Sequence, residues 1–213
     1  RGLGIRIETG TGISSVKGSK SVTGAVICAQ AGEGAPLEEI PCDVIAMSGG
    51  WSPVVHLWSH CGGKLAWNEE CAHFAPDPDR PPLGADGTGF VLTAGTASGA
   101  LLADAAMSDA VLAGRRAAKE AGGSPTDAAA PSVGAPTEGP MLPVWFMPQG
   151  ASKKLRAKAF LDYQNDVKVS DVQLAAQEGF ESVEHAKRYT TLGMATDQGK
   201  LSNINGLAVL SQS

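Results

Sequence analysis

The chain has 213 residues, a formal net charge of −5 and a sequence pI of about 5.4. This acidic balance excludes the basic surface of a nucleic-acid-binding protein, and no apolar run is long enough to span a membrane. Hydrophobic residues make up 43% of the chain, aromatic residues 5%, and 27 residues are glycine. This composition allows a sizeable core and is typical of α/β nucleotide-binding folds, in which small residues let helices pack closely on a sheet.

The four cysteines, Cys28, Cys42, Cys61 and Cys71, follow neither a disulfide framework nor a zinc-binding spacing. Cys28 and Cys42 lie in apolar stretches, where a cysteine is usually a small buried hydrophobic residue. We therefore expect reduced thiols and a cytoplasmic protein. The chain begins without methionine and ends just after the apolar run NINGLAVL, so we interpret it as a piece of a longer protein.

Short strands are predicted near the start of the chain. The stretches GIRIE (4–8), SSVKG (14–18) and GAVICAQ (24–30) are separated by turn residues, which is typical of strands. The stretch AGEGAPLEEIP (31–41) is predicted to be a loop. CDVIAMSGG (42–50) is a nearly continuous apolar run ending in two glycines, as a buried parallel strand does where it reaches a ligand crevice.

The motif SGGWSP is the first candidate ligand contact. Gly49 and Gly50 allow backbone N–H groups to approach an anion closely, and Trp51 follows them directly. The alternative is a tight turn in which Trp51 packs into the core. From these residues alone, the turn is the favoured interpretation.

Residues 51–88 are predicted to be irregular, although they contain a candidate set of metal ligands. These residues are His56, His60, Cys61, Cys71 and His73. The first two histidines would share one face of a helix, but the surrounding stretch is equally compatible with a strand or a loop. The gap between the two cysteines fits no compact zinc motif, so we expect no metal site here.

The second candidate ligand contact is the motif TAGTASG (93–99), between a predicted strand and a long alanine-rich helix. A glycine turn at a helix N-terminus presents free N–H groups and partial positive charge, which suits a nucleotide. Thr96 or Ser98 is predicted to cap the helix and Gly122 to end it. The alternative is a helix cap without a ligand. The predicted nucleotide contacts are Gly95, Thr96, Gly99 and Leu101.

A linker rich in proline and small residues precedes a small C-terminal helical module. In this module, Ser170 and Gln173 have the spacing of a capping box, and Gly179 is predicted to end the first helix. Ser182 is predicted to cap the second helix and Gly193 to end it.

The stretch DVKVSDVQLAAQEGFESVEHAKRYTTLGMATDQGK resembles the small helical modules similar to bacterioferritin-associated ferredoxin. Those modules hold a two-iron two-sulfur cluster on four cysteines, one pair before the first helix and one pair after the second. Thiolates are the normal ligands of such clusters. None of the four cysteines is present in this stretch, so we expect it to keep the scaffold of a cluster site but to hold no cluster. The corresponding positions are Asp162, Gln164, Asp197 and Ser202.

Three stretches resemble, in the same order, the alpha subunit of heterotetrameric sarcosine oxidase. They are CDVIAMSGGWSPVVHLWSHCGGKLAWNE, AGTASGALLADAAMSDAVLAGRRAA and SVEHAKRYTTLGMATDQGK. The resemblance implies an α/β fold: the C-terminal part of a two-dinucleotide-binding, pyridine nucleotide reductase-like domain, followed by the helical module. The implied boundaries are 1–122 for part of the NAD-binding domain, 123–145 for the linker, 146–205 for the module, and 206–213 for the start of a folate-binding aminomethyltransferase-like domain.

The same resemblance implies the cofactors and partners. NAD belongs at the two glycine motifs, FMN at the boundary with a partner subunit, FAD and zinc on other subunits, and tetrahydrofolate on a downstream domain of the alpha subunit. The implied partners are the beta, gamma and delta subunits of a heterotetramer. One loop of the module either faces the FMN or is a relic of the fold whose polar groups satisfy one another. Its residues are Thr196, Asp197, Gln198 and Lys200.

The implied activity is that of an oxidoreductase in one-carbon metabolism. Sarcosine is oxidised by oxygen to glycine and hydrogen peroxide, and its methyl carbon leaves as formaldehyde or as methylenetetrahydrofolate. Electrons pass from FAD on the beta subunit to FMN and then to oxygen. The sequence offers no nucleophile beside a base, so we expect no catalytic residue in this chain. The alternatives are a subunit of an opine- or proline-type amine dehydrogenase, or a non-catalytic assembly module.

Overall fold

The computed structural model describes residues 3–134, 139 and 141–213. The strands in chain order are β1 (Thr11–Lys17), β2 (Gly24–Ala29), β3 (Pro36–Pro41), β4 (Leu65–Asn68), β5 (His73–Pro76), β6 (Phe160–Asp162) and β7 (Val167–Lys168). The helices are α1 (His56–His60), α2 (Ala103–Glu120), α3 (Lys153–Arg156), α4 (Val169–Gln177), α5 (Val183–Thr190) and α6 (Asn203–Ser211), and a 3₁₀ turn covers Gly95–Ser98. No helix among the described residues is both long and apolar enough to cross a membrane.

The described residues divide into two compact units. The first unit comprises the chain up to Met47 together with Val144–Ser213, and the second comprises Ser48–Pro143. The first sheet therefore groups with the C-terminal helices. The domain boundaries predicted from the resemblance stay a prediction.

The first unit begins with a three-stranded antiparallel sheet in the order β1–β2–β3. The central strand, β2, is largely buried, and its Cys28 side chain is fully enclosed. The predicted loop at 31–41 is wrong in its second half, because Pro36–Pro41 pairs with β2. Proline is tolerated at the ends of this strand because it lies at the sheet edge. Residues 4–8 are not a strand.

The helical part of the first unit has its own core. Its buried side chains come from the β6–β7 hairpin, α4, the segment after α5, and α6: Leu161, Val167, Val169, Val172, Leu192 and Val209. These aliphatic side chains remove apolar surface from water, which is the main favourable contribution to folding at this site. This core fixes where the hairpin and the loop after α5 meet.

The helix ends in this part agree only partly with the sequence. Lys168 is the N-cap of α4, and its backbone N–H donates to Asp171, so the predicted start at Ser170 is two residues late. Gly179 ends α4 in a left-handed conformation as predicted, and Ser182 is the N-cap of α5, also as predicted. The predicted stop of α5 at Gly193 is wrong, because Thr191 already takes the left-handed conformation with φ 62°.

The second unit contains the β4–β5 hairpin, the short helix α1 and the long helix α2. The hairpin is antiparallel, and the Trp58 side chain of α1 is buried and donates its indole N–H to the Lys64 carbonyl. The predicted irregular stretch at 51–88 is therefore only partly irregular.

The predicted parallel strand at 42–50 is wrong. Residues 42–50 form no strand, and Val44 and Met47 are 71% and 77% exposed. Every strand pair among the described residues is antiparallel. An apolar run becomes a buried strand only where neighbouring strands pair with its backbone, and none of the described strands does so here.

Candidate functional site

The glycine turn at 95–98 lies between the β4–β5 hairpin and α2. One carboxylate oxygen of Asp109, on α2, accepts hydrogen bonds from the Gly95 N–H and the Ser98 hydroxyl, both at 2.7 Å. The Ser98 hydroxyl is also 2.7 Å from the Gly95 carbonyl oxygen. The turn is thus fixed by an acidic side chain, and its Gly95 N–H is already occupied by a carboxylate.

The sequence predicted that this turn caps α2, and that prediction is wrong. The turn is a separate 3₁₀ turn, and α2 begins later, at Ala103, with Leu102 as N-cap. Neither Thr96 nor Ser98 is therefore the cap. The predicted end of α2 is confirmed, because Gly122 follows it with φ 79° and donates its N–H to the Lys119 carbonyl.

A buried histidine lies on the other side of this turn. His73 on β5 is 1% exposed, and neither of its ring nitrogens has a hydrogen-bond partner among the described residues. Its Nε2 lies 3.8 Å from the position that a Cβ would take at Gly99, a residue with φ 104°. Burial lowers the pKa of His73 below its ordinary value, which favours the neutral imidazole.

The other predicted nucleotide contacts have different surroundings. Trp51 is 79% exposed, so it is not packed in a core. A Cβ at Gly49 would meet nothing within 4 Å, and one at Gly50 would lie 3.3 Å from Met141 Cε. No hydrogen bond within the described residues links these three residues to the 95–98 turn. Their part in binding stays a prediction, as do those of Thr96, which is exposed, and Leu101, which is half-buried.

A second polar site joins the turn after β6 to the loop after α5. Asp162 is 5% exposed. Its Oδ1 accepts hydrogen bonds from the N–H groups of Gln164 and Asn165 at 2.9 and 3.0 Å, and its Oδ2 accepts one from the Gly193 N–H at 3.2 Å. The Oε1 of Gln164 accepts from both the N–H and the hydroxyl of Thr196, at 2.9 and 2.7 Å.

The Asn165 side chain adds a 3.0 Å hydrogen bond from its amide nitrogen to the Thr191 carbonyl. We call this set of bonds, made by Asp162, Gln164 and Asn165 to residues 191–196, the polar latch. Two of the four positions that correspond to cluster ligands thus act as hydrogen-bond acceptors within the latch. Asp162 and Gln164 hold the two loops together through their side-chain oxygen atoms. Iron–sulfur clusters are normally bound by cysteine thiolates, so these oxygen atoms do not suit such a cluster.

Of the other two positions, Asp197 lies in the loop before α6 and Ser202 is the N-cap of α6. Asp197 accepts hydrogen bonds from the N–H groups of Gly199 and Leu201, both at 3.2 Å. Ser202 is 2% exposed, and its hydroxyl has no hydrogen-bond partner among the described residues. The next side chain, Asn203, lies against two left-handed glycines, Gly193 and Gly199, where any Cβ would collide with it.

The loop predicted to lie near a flavin is therefore well fixed. Thr196 and Asp197 are held by the hydrogen bonds just described, while Gln198 and Lys200 are exposed, and Gln198 has φ 53°. Whether these four residues face a flavin stays a prediction.

The candidate metal ligands do not gather into a site. His56 and His60 both lie on the short helix α1, and both are exposed, whereas His73 is buried on β5. Over the described ranges, no group of three or more His, Cys, Asp or Glu side chains is placed to hold a metal ion.

Sequence reasoning missed Asp109 and the placement of His73. Asp109 contacts Gly95 across 14 positions, and His73 approaches Gly99 from a different element. Asp109 could have been found by looking for an acidic residue on the helix that follows a glycine turn. Such a side chain can reach back to the free N–H groups of the turn.

The fold has a counterpart among solved structures. L-proline dehydrogenase from P. horikoshii matches 93% of this chain and 38% of its own length, with a TM-score of 0.62 and 19% sequence identity. The two chains thus share a fold, which is consistent with the predicted α/β class.

The sequence relatives are more specific. Residues 156–213 match the sarcosine oxidase A3 domain. The sarcosine oxidase alpha subunit of Rhizobium meliloti (strain 1021) is 37% identical over 94% of this chain, and that of Corynebacterium sp. (strain P-1) is 35% identical over 99%. The predicted resemblance to the alpha subunit of sarcosine oxidase, an oxidoreductase, is confirmed over nearly the whole chain. The chain spans 19–21% of the length of these relatives.

Proposed function

We propose that this chain is a segment of a sarcosine oxidase alpha subunit. The complete assembly oxidises sarcosine with oxygen and water, giving glycine, hydrogen peroxide and formaldehyde, or methylenetetrahydrofolate when tetrahydrofolate takes the methyl carbon. The observation that carries this proposal is the 35–37% identity to three such subunits over 94–99% of the chain. The likeness to L-proline dehydrogenase, at 19% identity, concerns the fold alone and does not favour that substrate.

Within that assembly, this segment binds rather than reacts. The glycine turn beside His73 is the proposed place of NAD, because a glycine with φ 104° lets a ligand approach the backbone and a buried imidazole next to it lacks a partner. NAD supplies hydride-transfer chemistry or serves as a structural ligand. The chain's own residues hold and orient it.

The loop around Thr196 is the proposed contact with the FMN-bearing subunit boundary. It is suited to that role because the polar latch fixes its backbone before any partner binds, which reduces the entropy lost on association. FAD and zinc are proposed on other subunits, the beta, gamma and delta chains complete a cytoplasmic heterotetramer, and tetrahydrofolate binds to another part of the alpha subunit.

Native mass spectrometry of the complex from its own source, paired with sarcosine-dependent oxygen uptake, tests this proposal. We expect a heterotetramer that carries NAD, FAD and covalently attached FMN, and uptake of oxygen with sarcosine. Oxygen-independent oxidation of proline or an opine by the same complex would instead support an amine dehydrogenase. A chain that carries no nucleotide and joins no flavoprotein would leave only an assembly role.

A further inference from the structure

A cluster of basic side chains lies on α3 and just after it. Lys153, Lys154, Arg156 and Lys158 fall close together, whereas residues 139–161 contain no aspartate or glutamate. The whole chain nevertheless carries a net charge of −5. An ordinary solvated surface intersperses charges of both signs, so this concentration of positive charge needs an explanation.

The three lysines of this cluster have no counter-charge in the structure. All three are exposed, and none forms an ion pair with another described residue. By contrast, two lysines elsewhere in the first unit have glutamate partners. We call Lys153, Lys154 and Lys158 the lysine strip.

The arginine of the cluster anchors α3 instead. The Cζ of Arg156 lies 5.2 Å from the centroid of the Phe146 ring, and its Nη2 donates to the Gln149 carbonyl at 3.1 Å. Leu155 packs on the turn before β3, where any Cβ at Gly34 would collide with it. The backbone that carries the lysine strip is thus fixed before a partner binds, which lowers the entropy lost on association.

An exposed aromatic pair follows the lysine strip along the chain. Phe160 and Tyr163 are 38% and 70% exposed, and their rings stack with centroids 6.1 Å apart. The Nζ of Lys168 lies 5.7 Å from the Phe160 centroid. Protein interfaces place aromatic side chains at the centre and charged side chains at the rim. Tyr163 also lies between Asp162 and Gln164 of the polar latch, which holds the loop that we propose to contact a partner subunit.

The charges indicate the chemistry of the partner. Free ammonium groups attract carboxylates, and such complementary charges speed association and exclude wrong partners. A net charge of −5 repels the extended negative charge of a nucleic acid or an anionic membrane. A local acidic patch on a protein meets mainly the lysine strip, because charges farther than about 8 Å away are screened at physiological salt. These observations favour an acidic protein surface.

We propose that the lysine strip and the aromatic pair form a docking surface for a partner subunit, which presents aspartate or glutamate side chains to the three lysines. This inference rests on the proposed function, since that function places this chain in a complex with partner subunits. It adds the chemistry of the partner's surface and a contact area next to the polar latch.

Zero-length crosslinking of the complete wild-type complex tests the contact directly. A water-soluble carbodiimide joins a lysine amine to a carboxylate only where the two groups touch, and mass spectrometry of the digested complex identifies the joined peptides. We expect at least one lysine of the strip to be joined to an aspartate or glutamate of a partner subunit.

Charge reversal in the complete complex measures the contribution of the contact. The test variant combines Lys153→Glu, Lys154→Glu and Lys158→Glu. The control variant makes the same reversals at three other exposed lysines without an ion pair among the described residues: Lys20→Glu, Lys64→Glu and Lys119→Glu. Analytical ultracentrifugation gives the Kd of the partner subunit for each complex.

The expected result depends on salt. At about 0.1 M salt, the test variant should raise this Kd at least about tenfold, because three attractions become repulsions. At about 1 M salt the difference from the wild type should nearly vanish, since the Debye length falls to about 3 Å. The control variant should change the Kd less than about twofold.

Other results overturn the inference in distinguishable ways. Strip lysines joined only to carboxylates of the alpha subunit would mean that its own polypeptide covers this surface, and no joined product at all would mean that the surface is solvated. Equal Kd values in the test and control variants would leave only an effect of net charge. Binding of RNA or of phosphatidylserine vesicles to the wild-type complex, lost in the test variant, would assign the surface to a polyanion.

The same experiments separate this inference from the proposed function. A complex that oxidises sarcosine but gives one of these contrary results removes the inference alone. A chain that assembles with no partner subunit removes the proposed function as well. If the test variant does not fold, crosslinking of the wild-type complex decides.

Discussion

The polar latch makes a prediction for Asp162→Asn. This substitution keeps the side chain's shape and keeps Oδ1, which accepts from two backbone N–H groups and so fixes the orientation of the new amide. It replaces Oδ2 by an NH₂ group, which cannot accept the Gly193 N–H. A hydrogen bond to a charged acceptor contributes about 1.5–3 kcal/mol, so the loop after α5 should open roughly ten- to a hundredfold more often.

Amide hydrogen exchange of the purified protein measures that opening directly, because exchange reports local as well as global unfolding. The peptide that contains Gly193 should exchange roughly ten- to a hundredfold faster in Asp162→Asn than in the wild type. The matched control is Asp166→Asn, since Asp166 is exposed and has the left-handed φ of 55°, which asparagine also accepts. Equal protection in Asp162→Asn and the wild type, or equal loss in both variants, would refute the role of Oδ2.

Three further predictions concern the second unit. Asp109→Ala should expose the Gly95 N–H and speed its exchange at least about tenfold, because the carboxylate also holds the Ser98 hydroxyl. Gly114→Ala should raise stability by about 1 kcal/mol in a thermal melt, since Gly114 lies inside α2 with open space around it. Burial lowers the pKa of His73, so the unfolded chain binds its proton more readily. Stability should then be fully present above pH about 6.5 and fall below it. His73→Leu should shrink the difference between melts at about pH 7.5 and 5.5, and an unchanged difference would contradict this assignment.

Local signals in the sequence predicted local features well. Gly122 and Gly179 end their helices as expected, because a glycine in the left-handed conformation needs only the preceding turn of helix as its context. Ser182 is the N-cap of α5 in an extended conformation, although its side chain makes no capping hydrogen bond. The start of α4 was misplaced because the acceptor of its capping interaction is the Asp171 side chain rather than one on Ser170.

Features that depend on distant neighbours were not predictable in this way. Residues 42–50 are apolar enough for a central strand, yet no described strand pairs with them. The stretch at 36–41 is rich in proline and glutamate, yet β2 gives it a partner. Pairing is decided by the rest of the sheet, which a single stretch of sequence does not contain.

The candidate site shows the same division. The glycine motif at 93–99 was visible, and it forms a compact turn. The two side chains that give this turn its character, Asp109 and His73, come from other elements and carry no motif of their own. In the helical module, the sequence identified the positions of Asp162 and Gln164 but not the bonds that they make to Gly193 and Thr196.

The polar latch also has a consequence for the order of folding. Its bonds from Asp162 to Gly193 and from Gln164 to Thr196 join residues 31 and 32 positions apart, so they close a ring of chain around α4 and α5. A disulfide at these positions would keep the ring closed in the denatured ensemble, whereas hydrogen bonds leave it open there. The entropy of closure must therefore be met anew in each folding event. When α4 and α5 form and pack against each other, they bring the two loops of the polar latch closer together. We therefore expect the hydrogen bonds of the latch to form late in folding, after these local contacts.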